Sequence, residues 1–223
     1  MHGLRLSETT LGSKVVVIGL GVIGQLVCKL AEAQGSEVTG IDPDPERSKN
    51  RENFFTSADE VELTDVDTVI ITAATSSNEP VELATKIARN KAKIVIVGDI
   101  PLNISRNDFY YKELELVVSK SYGPGRYDKQ YEALGNDYPI EYVRWTENRN
   151  FEAFTNLLSQ KQIHLLDLVS EEIAFEDAPS VYKKFDNEIK PLSIVLRYNI
   201  DAEPKIEMAK DLESEPRTSK VNV

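Results

Sequence analysis

Cysteine and histidine are scarce in this sequence, which narrows the chemistry that it can perform. Its one cysteine, Cys28, can form no disulfide within the chain, and a single cysteine cannot build a cysteine-based zinc site. Because Cys28 lies in an apolar helical pattern, we interpret it as a small core residue. The two histidines, His2 at a surface terminus and His164 in a short apolar stretch, are also interpreted as structural. We therefore expect no metal site and identify no catalytic residue.

Long apolar runs and an excess of basic residues are lacking as well. The 223 residues include 26 lysines and arginines against 37 aspartates and glutamates, and the net charge of -11 argues against a nucleic acid or an anionic membrane as partner. No apolar run approaches the length of a membrane span, and residues 1–5 lack the pattern of a signal peptide. We therefore expect a cytoplasmic protein with one sizeable core.

A glycine motif near the start of the chain carries the functional signal. The apolar strand Lys14–Ile18 is followed by Gly19-x-Gly21-x-x-Gly24 and by a helical pattern over residues 22–34. In a dinucleotide-binding turn, the first glycine permits the tight turn and the second lets backbone N–H groups approach a pyrophosphate, while the third lets the helix pack on the strand. The unpaired N–H groups and the dipole of the helix favour the anion there. The motif therefore predicts a bound dinucleotide.

An acid follows the next predicted strand, Glu37–Ile41, and bears on the choice of cofactor. Asp42 at the carboxyl end of that strand can accept hydrogen bonds from both hydroxyls of an adenosine ribose. Its charge would repel the 2′-phosphate of NADP, so we predict NAD, with NADP less favoured. Arg47 partly offsets this repulsion. A methyltransferase is the nearest alternative, since its second strand also ends in an acid, but the third glycine inside the helix favours a dinucleotide.

Strands alternate with helices through most of the remaining sequence, which is the pattern of a parallel sheet covered on both faces. We predict an α/β fold, a Rossmann-type doubly wound parallel sheet in a single main domain. Residues 1–160 form this domain, residues 161–199 are a closing segment, and residues 200–223 are a polar tail or linker. The further strands are predicted at residues 60–63, 66–74, 92–97, 114–119, 169–175 and 192–198, and the further helices at residues 80–88, 147–160 and 177–185.

The sequence resembles the coenzyme domain of the medium-chain dehydrogenase/reductase family, the relatives of the zinc-type alcohol dehydrogenases. The resemblance lies in the run from His2 to Gly24, in Lys112-Glu113-Leu114-Glu115-Leu116, and in Phe175-Glu176-Asp177-Ala178-Pro179. Residues 121–128, 137–140 and 142–147 resemble, more narrowly, two-part oxidoreductases in which a medium-chain half is fused to a glucose-fructose-oxidoreductase-like half. Residues 220–223 would then begin the first strand of the second half.

The motif and the resemblance together assign a set of residues to the cofactor. The resemblance places residues 72–74 beside the adenosine and residues 97–99 on the nicotinamide side. For Thr72, Ala73 and Gly98, an alternative interpretation is that small residues simply end strands there. We interpret Arg126, a candidate anion ligand, as solvated. The assigned positions are Gly19, Leu20, Gly21, Val22, Ile23, Gly24, Asp42, Arg47, Thr72, Ala73, Ala74, Val97, Gly98 and Asp99.

The resemblance also implies that this chain is incomplete for catalysis. In the family, a GroES-like domain carries the zinc ligands and the proton relay and precedes the coenzyme domain, and there is no room for it before Lys14. We therefore expect the NAD-binding domain of an alcohol dehydrogenase-like oxidoreductase that needs its catalytic half. The alternative is a non-catalytic module for nucleotide binding or self-assembly, and the family implies a homodimer through the sixth strand.

Overall fold

The structure is a computed structural model that describes residues 1–49, 51–185 and 191–199. The predicted tail at residues 200–223, with the strand suggested at residues 220–223, lies outside the described residues. The strands are β1 (Lys14–Ile18), β2 (Glu37–Ile41), β3 (Phe54–Phe55), β4 (Val66–Ile71), β5 (Ala88–Ile96), β6 (Glu115–Val118), β7 (Glu171–Ala174) and β8 (Ile194–Arg197). The α-helices are α1 (His2–Leu6), α2 (Val22–Ala33), α3 (Pro45–Ser48), α4 (Glu79–Ile87), α5 (Arg106–Lys112), α6 (Lys129–Glu132), α7 (Glu147–Ser159) and α8 (Ala178–Phe185).

Six strands form one parallel sheet in the order β3-β2-β1-β4-β5-β6. The chain builds the sheet outward from β1 to β3 and then crosses to β4 on the other side of β1. This order confirms the predicted Rossmann-type α/β fold. In such a sheet, ligands bind outside the carboxyl ends of the strands where the order reverses, which here is the edge between β1 and β4.

The core is divided between the two faces of the sheet. Val15 and Val17 of β1 pack among residues of α2, while the neighbouring Val16 and Ile18 pack on the opposite face among residues of α4. Alternate side chains of a strand point to opposite faces, and here both faces are covered. This explains why β1 is a continuous apolar run rather than an alternating one. Helix α2 is therefore fixed rigidly above the strand that leads into the glycine turn.

The third strand lies earlier in the chain than the sequence predicts. It consists of Phe54 and Phe55, whereas Ala58–Glu60 forms a 3-10 helix that begins where the Ser57 hydroxyl accepts the Asp59 N–H at 3.2 Å. The prediction of a strand at residues 60–63 is therefore wrong. The Phe54 ring occupies the space beside Gly40, since a Cβ at residue 40 would lie 2.5 Å from it. Only glycine in β2 leaves room for this short third strand.

A polar and aromatic cluster organises the chain between β6 and α7. The Tyr122 hydroxyl hydrogen-bonds the Glu132 carboxylate, and Arg126 Nη1 donates to the same carboxylate oxygen at 2.8 Å. The Arg126 guanidinium also lies over the rings of Tyr122 and Tyr127. The interpretation of Arg126 as a solvated residue is therefore wrong, because an ion pair and two rings hold it against the protein.

Helix α1 is joined to the start of α7 through Trp145. The Arg5 guanidinium lies 3.2 Å from the centre of the indole ring, and Arg144 lies 3.9 Å from it. Arg5 Nε also donates to the Asn150 side-chain oxygen at 2.7 Å. Burial and the charge of Arg144 lower the pKa of Arg5 to about 10.

The closing segment forms a separate two-stranded parallel sheet from β7 and β8. The Phe175 and Tyr198 rings stack at its end with their centres 4.3 Å apart, and both residues are exposed. Lys29 of α2 pairs with Asp167 just before this sheet at 2.5 Å. Within the described ranges, no helix is long and apolar enough to cross a membrane.

Candidate functional site

The glycine turn between β1 and α2 is too crowded for larger residues at two of its positions. Gly19 has φ +95°, and a Cβ there would lie 2.5 Å from the Ala73 backbone nitrogen. A Cβ at Gly24 would lie 1.9 Å from the Gly19 carbonyl oxygen. The close packing of α2 on the turn therefore depends on these two glycines, which are the first and third of the motif.

The N-terminus of α2 opens onto a cleft of about 820 Å³. Gly21 is the N-cap residue, and no side chain in the described part of the chain caps the helix. The N–H groups of a helix's first turn have no acceptor within the helix, so they remain available to a ligand. Because Gly21 has no Cβ, an anion can approach these donors closely, and the helix dipole favours it.

Asp42 joins the two loops that border the cleft. Its Oδ2 accepts the Leu20 N–H at 2.6 Å, and its Oδ1 accepts the Asp44 N–H at 2.9 Å. The residue is 9% exposed and lines the cleft. Each carboxylate oxygen has a second lone pair, so Asp42 can hold the loops and still accept hydrogen bonds from a ligand. Since Leu20 gives its N–H to Asp42 and buries its side chain in the core, it supports the site without lining it.

A cation lies across the mouth of this cleft. Arg47 Nε donates to Asp44 Oδ2 at 3.2 Å, and Arg47 Nη1 lies 3.2 Å from the position that a Cβ of Gly21 would occupy. Asp44 also caps α3, because its Oδ1 accepts the Glu46 N–H at 3.0 Å. Arg47 is thus placed between the predicted ribose position and the helix N-terminus.

The residues after β4 form the wall of the cleft next to the glycine turn. Thr72 Oγ1 donates to the Gly19 carbonyl oxygen at 2.5 Å, and this hydrogen bond joins the end of β4 to the glycine turn. The backbone of Ala73 packs against Gly19, and Ala74 lines the cleft with both of them. Thr72 and Ala73 therefore shape the turn as well as bordering the space beside it.

A second, apolar cavity of about 430 Å³ lies on the other side of α2. Ile23 and Val97 line it together with Phe151 and Phe154 of α7 and with Ser119, which follows β6. The side-chain oxygen of Ser119 is buried there without a hydrogen-bond partner among the described residues.

The structure separates the predicted cofactor residues into three groups. Those that line the cleft are Gly19, Gly21, Asp42, Arg47, Thr72, Ala73 and Ala74. Those that line the apolar cavity are Ile23 and Val97. Those that line neither space are Leu20, Val22, Gly24, Gly98 and Asp99. Gly98 packs against Ala73, whose carbonyl oxygen would lie 1.9 Å from a Cβ at residue 98, and Asp99 is exposed.

Several residues line the cleft that sequence reasoning did not assign to it. Thr56, Ser57 and Asp59 come from β3 to the 3-10 helix, and Lys86 comes from α4. Their place depends on the misassigned third strand and on long-range packing, so the sequence offers no local signal for them. Asp44 was detectable, because an acid before Pro45 is typical of a helix N-cap.

The scarce reactive side chains do not form a catalytic group. His2 is half-buried against Gly123 rather than at an exposed terminus, and burial, the terminal amine and Arg5 lower its pKa. Burial raises the pKa of Cys28 to about 12, so its thiol is protonated and unreactive at neutral pH. In the described part of the chain, no group of three or more His, Cys, Asp or Glu residues is placed to hold a metal ion.

Comparisons with known proteins agree with this geometry. Residues 3–107 match the family described as D-isomer specific 2-hydroxyacid dehydrogenase, NAD binding domain. A 2-dehydro-3-deoxy-L-galactonate 5-dehydrogenase of Pseudoalteromonas atlantica is 24% identical over 213 residues, which are 90% of this chain and 55% of that protein.

Solved dehydrogenase structures share the fold. The 2R,3R-butanediol dehydrogenase of Bacillus subtilis superposes with a TM-score of 0.67 at 20% identity, over 89% of this chain and 54% of that one. The alcohol dehydrogenase TADH of Thermus sp. ATN1 gives a TM-score of 0.64 at 19% identity, over 89% and 54%. The chain thus spans about half the length of the relatives that it matches.

The chain has a Rossmann-type fold whose cleft offers helix N–H donors and a carboxylate to a dinucleotide, and the proteins that it matches are dehydrogenases. The neighbours include alcohol dehydrogenases, as the sequence resemblance implies, while the matched family is described as a 2-hydroxyacid dehydrogenase.

Proposed function

We propose that this chain is the NAD-binding domain of a medium-chain alcohol dehydrogenase-like oxidoreductase and that turnover needs a catalytic half supplied by further residues. One observation carries the proposal: the uncapped N-terminus of α2 opens onto the cleft that Asp42 and Arg47 border. This arrangement offers backbone donors for a diphosphate next to acceptors for a ribose.

The residues of the cleft bind and orient the adenosine half of the cofactor. The N–H groups of the first turn of α2 receive the diphosphate, and the free lone pairs of Asp42 accept the ribose hydroxyls. A 2′-phosphate would place a further negative charge beside Asp42, which favours NAD over NADP. Arg47 lies close enough to Gly21 to reach the same groups.

The apolar cavity beside Ile23 and Val97 is the proposed position of the nicotinamide ring. Its walls are largely aliphatic and aromatic, so they bind a flat ring and exclude water, while the unpartnered Ser119 hydroxyl offers a hydrogen bond. When bound, the nicotinamide accepts or gives a hydride. His2, Tyr122 and Glu147 also line this cavity, and we assign none of them to the substrate proton.

The missing chemistry is assigned to residues outside this chain. A dehydrogenase needs a group that polarises or deprotonates the substrate hydroxyl, and this chain spans only about half the length of its relatives. We propose an upstream GroES-like half that carries the zinc, and a downstream half that resembles glucose-fructose oxidoreductase. Reading the coding sequence on both sides of this segment tests the two assignments separately.

Nicotinamide fluorescence tests the binding function directly. We expect NADH to bind this chain more tightly than NADPH, with saturable enhancement of its emission. The Gly24→Ala variant should lose binding of both, because the added Cβ meets the Gly19 carbonyl. Absence of binding by either nucleotide would refute the proposal, and tighter binding of NADPH would reverse the assignment to NAD.

The free edge of the main sheet favours self-association as a second property. No strand within the described ranges pairs with the outer edge of β6, and Val118 on it is 56% exposed. An unpaired edge strand is a template for pairing with another strand. We propose a homodimer through β6, which Val118→Lys should weaken because it places a charge on that edge. Light scattering with and without NAD measures this, and a monomeric wild-type protein at every concentration would contradict it.

A further inference from the structure

Two of the acidic residues that line the cleft, Asp42 and Asp44, make different contacts. Asp42 uses both carboxylate oxygens to accept backbone N–H groups, from Leu20 and Asp44. Asp44 instead holds Arg47, through the contact of 3.2 Å between Arg47 Nε and Asp44 Oδ2. The side chain of Asp44 is 41% exposed and that of Arg47 is 25% exposed, so this ion pair lies at the surface of the cleft.

We propose that Asp44 is a specificity-determining residue, which selects against NADP by holding the Arg47 guanidinium away from a 2′-phosphate. The inference rests on the proposed coenzyme site. The selectivity for NAD over NADP would then come from Asp44 as well as from Asp42.

Charge and geometry support this assignment. While Asp44 is paired with Arg47, a 2′-phosphate beside Asp42 meets two carboxylates and a guanidinium whose charge is already offset. A guanidinium binds phosphate through two parallel hydrogen bonds, so a released Arg47 is a suitable phosphate ligand. Arg47 also lines the same cleft as Asp42, the residue at which we propose that the ribose and a 2′-phosphate would lie. Other charged residues that line the cleft are Asp59, Glu79 and Lys86.

The variant Asp44→Asn isolates the charge from the structural role of the residue. Asp44 Oδ1 caps α3 by accepting the Glu46 N–H at 3.0 Å, and asparagine is as good an N-cap residue as aspartate. The amide oxygen of asparagine can keep this hydrogen bond, while the negative charge that holds Arg47 is lost. We therefore expect the fold and its thermal stability to be unchanged, which circular dichroism measures.

Two fragments of the cofactor test the effect without the nicotinamide end. The probes are 5′-AMP and 2′,5′-ADP, which differ in the 2′-phosphate, and calorimetry measures their dissociation constants. We expect Asp44→Asn to tighten 2′,5′-ADP binding by about tenfold, the size of a hydrogen bond to a charged group, and to leave 5′-AMP within about twofold. Tighter binding of NADPH relative to NADH should accompany the change. The gain should shrink in about 1 M salt, which screens exposed charges.

The double variant Asp44→Asn with Arg47→Gln separates the proposed mechanism from simple repulsion. If Asp44 acts through Arg47, the gain for 2′,5′-ADP disappears when Arg47 is replaced. A gain that persists in the double variant would mean that Asp44 repels the phosphate directly, and an equal gain for both probes would mean that Arg47 serves the diphosphate. If Asp44→Asn leaves the ratio of the dissociation constants of 2′,5′-ADP and 5′-AMP unchanged, the inference is wrong, although the proposed coenzyme site is unaffected. Failure of the wild-type protein to bind either probe or NADH would instead refute the proposed function.

Discussion

The two spaces on either side of the α2 N-terminus differ in how completely this chain builds them. The cleft beside Asp42 combines a tight glycine turn, helix N–H donors, acidic acceptors and a cation, and hydrogen bonds and an ion pair connect these parts. The cavity beside Val97 is apolar, and its buried Ser119 hydroxyl has no partner among the described residues. The first space thus offers donors, acceptors and a cation, whereas the second offers mainly apolar walls.

This difference agrees with the proposal that binding and chemistry belong to different parts of a longer protein. The residues that line the cleft, where we propose that adenosine and diphosphate bind, lie within residues 18–86. In the same proposal, the groups that hold a reacting substrate against the nicotinamide come from the catalytic half. We therefore expect that perturbations at the two ends have separable effects, and the following predictions test that separation.

The largest effect is expected from Gly24→Ala, which alters the glycine turn at the cleft beside Asp42. The new Cβ would lie 1.9 Å from the Gly19 carbonyl oxygen, so the turn and α2 must move apart. We expect a loss of about 3 kcal/mol in the free energy of unfolding, typical of overpacking, and no nucleotide binding. Urea unfolding measures it. Gly21→Ala is the matched control: its φ is -62° and only the Arg47 side chain is near, so the fold should survive. Equal stability loss in both variants would contradict this account.

Asp42→Ala is expected to have the next largest effect, on stability and binding together. The Leu20 and Asp44 N–H groups lose their acceptor, and we expect a cost of about 2 kcal/mol. NADH affinity should fall as well, because the ribose loses its acceptor. Urea unfolding and fluorescence titration measure the two effects. Asp42→Asn retains one side-chain oxygen, so its free energy of unfolding should lie between those of Asp42→Ala and the wild type. If Asp42→Ala is as stable as the wild type, the two loops do not depend on this carboxylate.

Ile23→Phe should perturb only the apolar cavity. Ile23 is 55% exposed at the apolar cavity, so a larger ring there should fill the cavity with a change of less than about 0.5 kcal/mol in stability. We expect NADH to bind about tenfold more weakly, which is about 1.4 kcal/mol, while ADP-ribose binds as before. Ile23→Val serves as the control. Equal weakening of NADH and ADP-ribose would show that the cavity is not the ring position.

The smallest effect is expected at Cys28, a residue of α2 that lines neither the cleft nor the apolar cavity. Its reactivity measures how well α2 is packed. Because burial raises its pKa to about 12, the thiol stays protonated from pH 7 to pH 9 and should not react with a disulfide reagent in the native protein. Labelling should follow local opening of α2, and saturating NADH should slow it. Rapid labelling of the native protein would show that α2 is not packed as described.

The fold was largely predictable because its signals are local. The apolar run of β1, the helical period of α2 and the glycines between them identify the Rossmann-type sheet without any long-range information. The third strand was not predictable, since it is two residues long and depends on the Phe54 ring filling the space beside Gly40. The alternating residues at 60–63 suggested a strand, but the Ser57 cap turns the chain into a 3-10 helix just before them.

The site divides in the same way. Gly19, Gly21 and Asp42 are recognisable from spacing, and all of them line the cleft. The pairing of Arg47 with Asp44, three positions earlier in the sequence, was not predicted. Arg126 was misjudged because Glu132 lies on α6, a four-residue helix that no periodic pattern announces.

The contact of Trp145 with Arg5 and Arg144 has a practical consequence for measurement. This indole is the sole tryptophan of the chain, and it bridges α1 and the start of α7 outside the proposed cofactor cleft. Tryptophan emits where reduced nicotinamide absorbs, so resonance energy transfer from Trp145 to bound NADH can measure cofactor occupancy. Loss of donor emission on adding NADH would register occupancy in the unlabelled, unsubstituted protein.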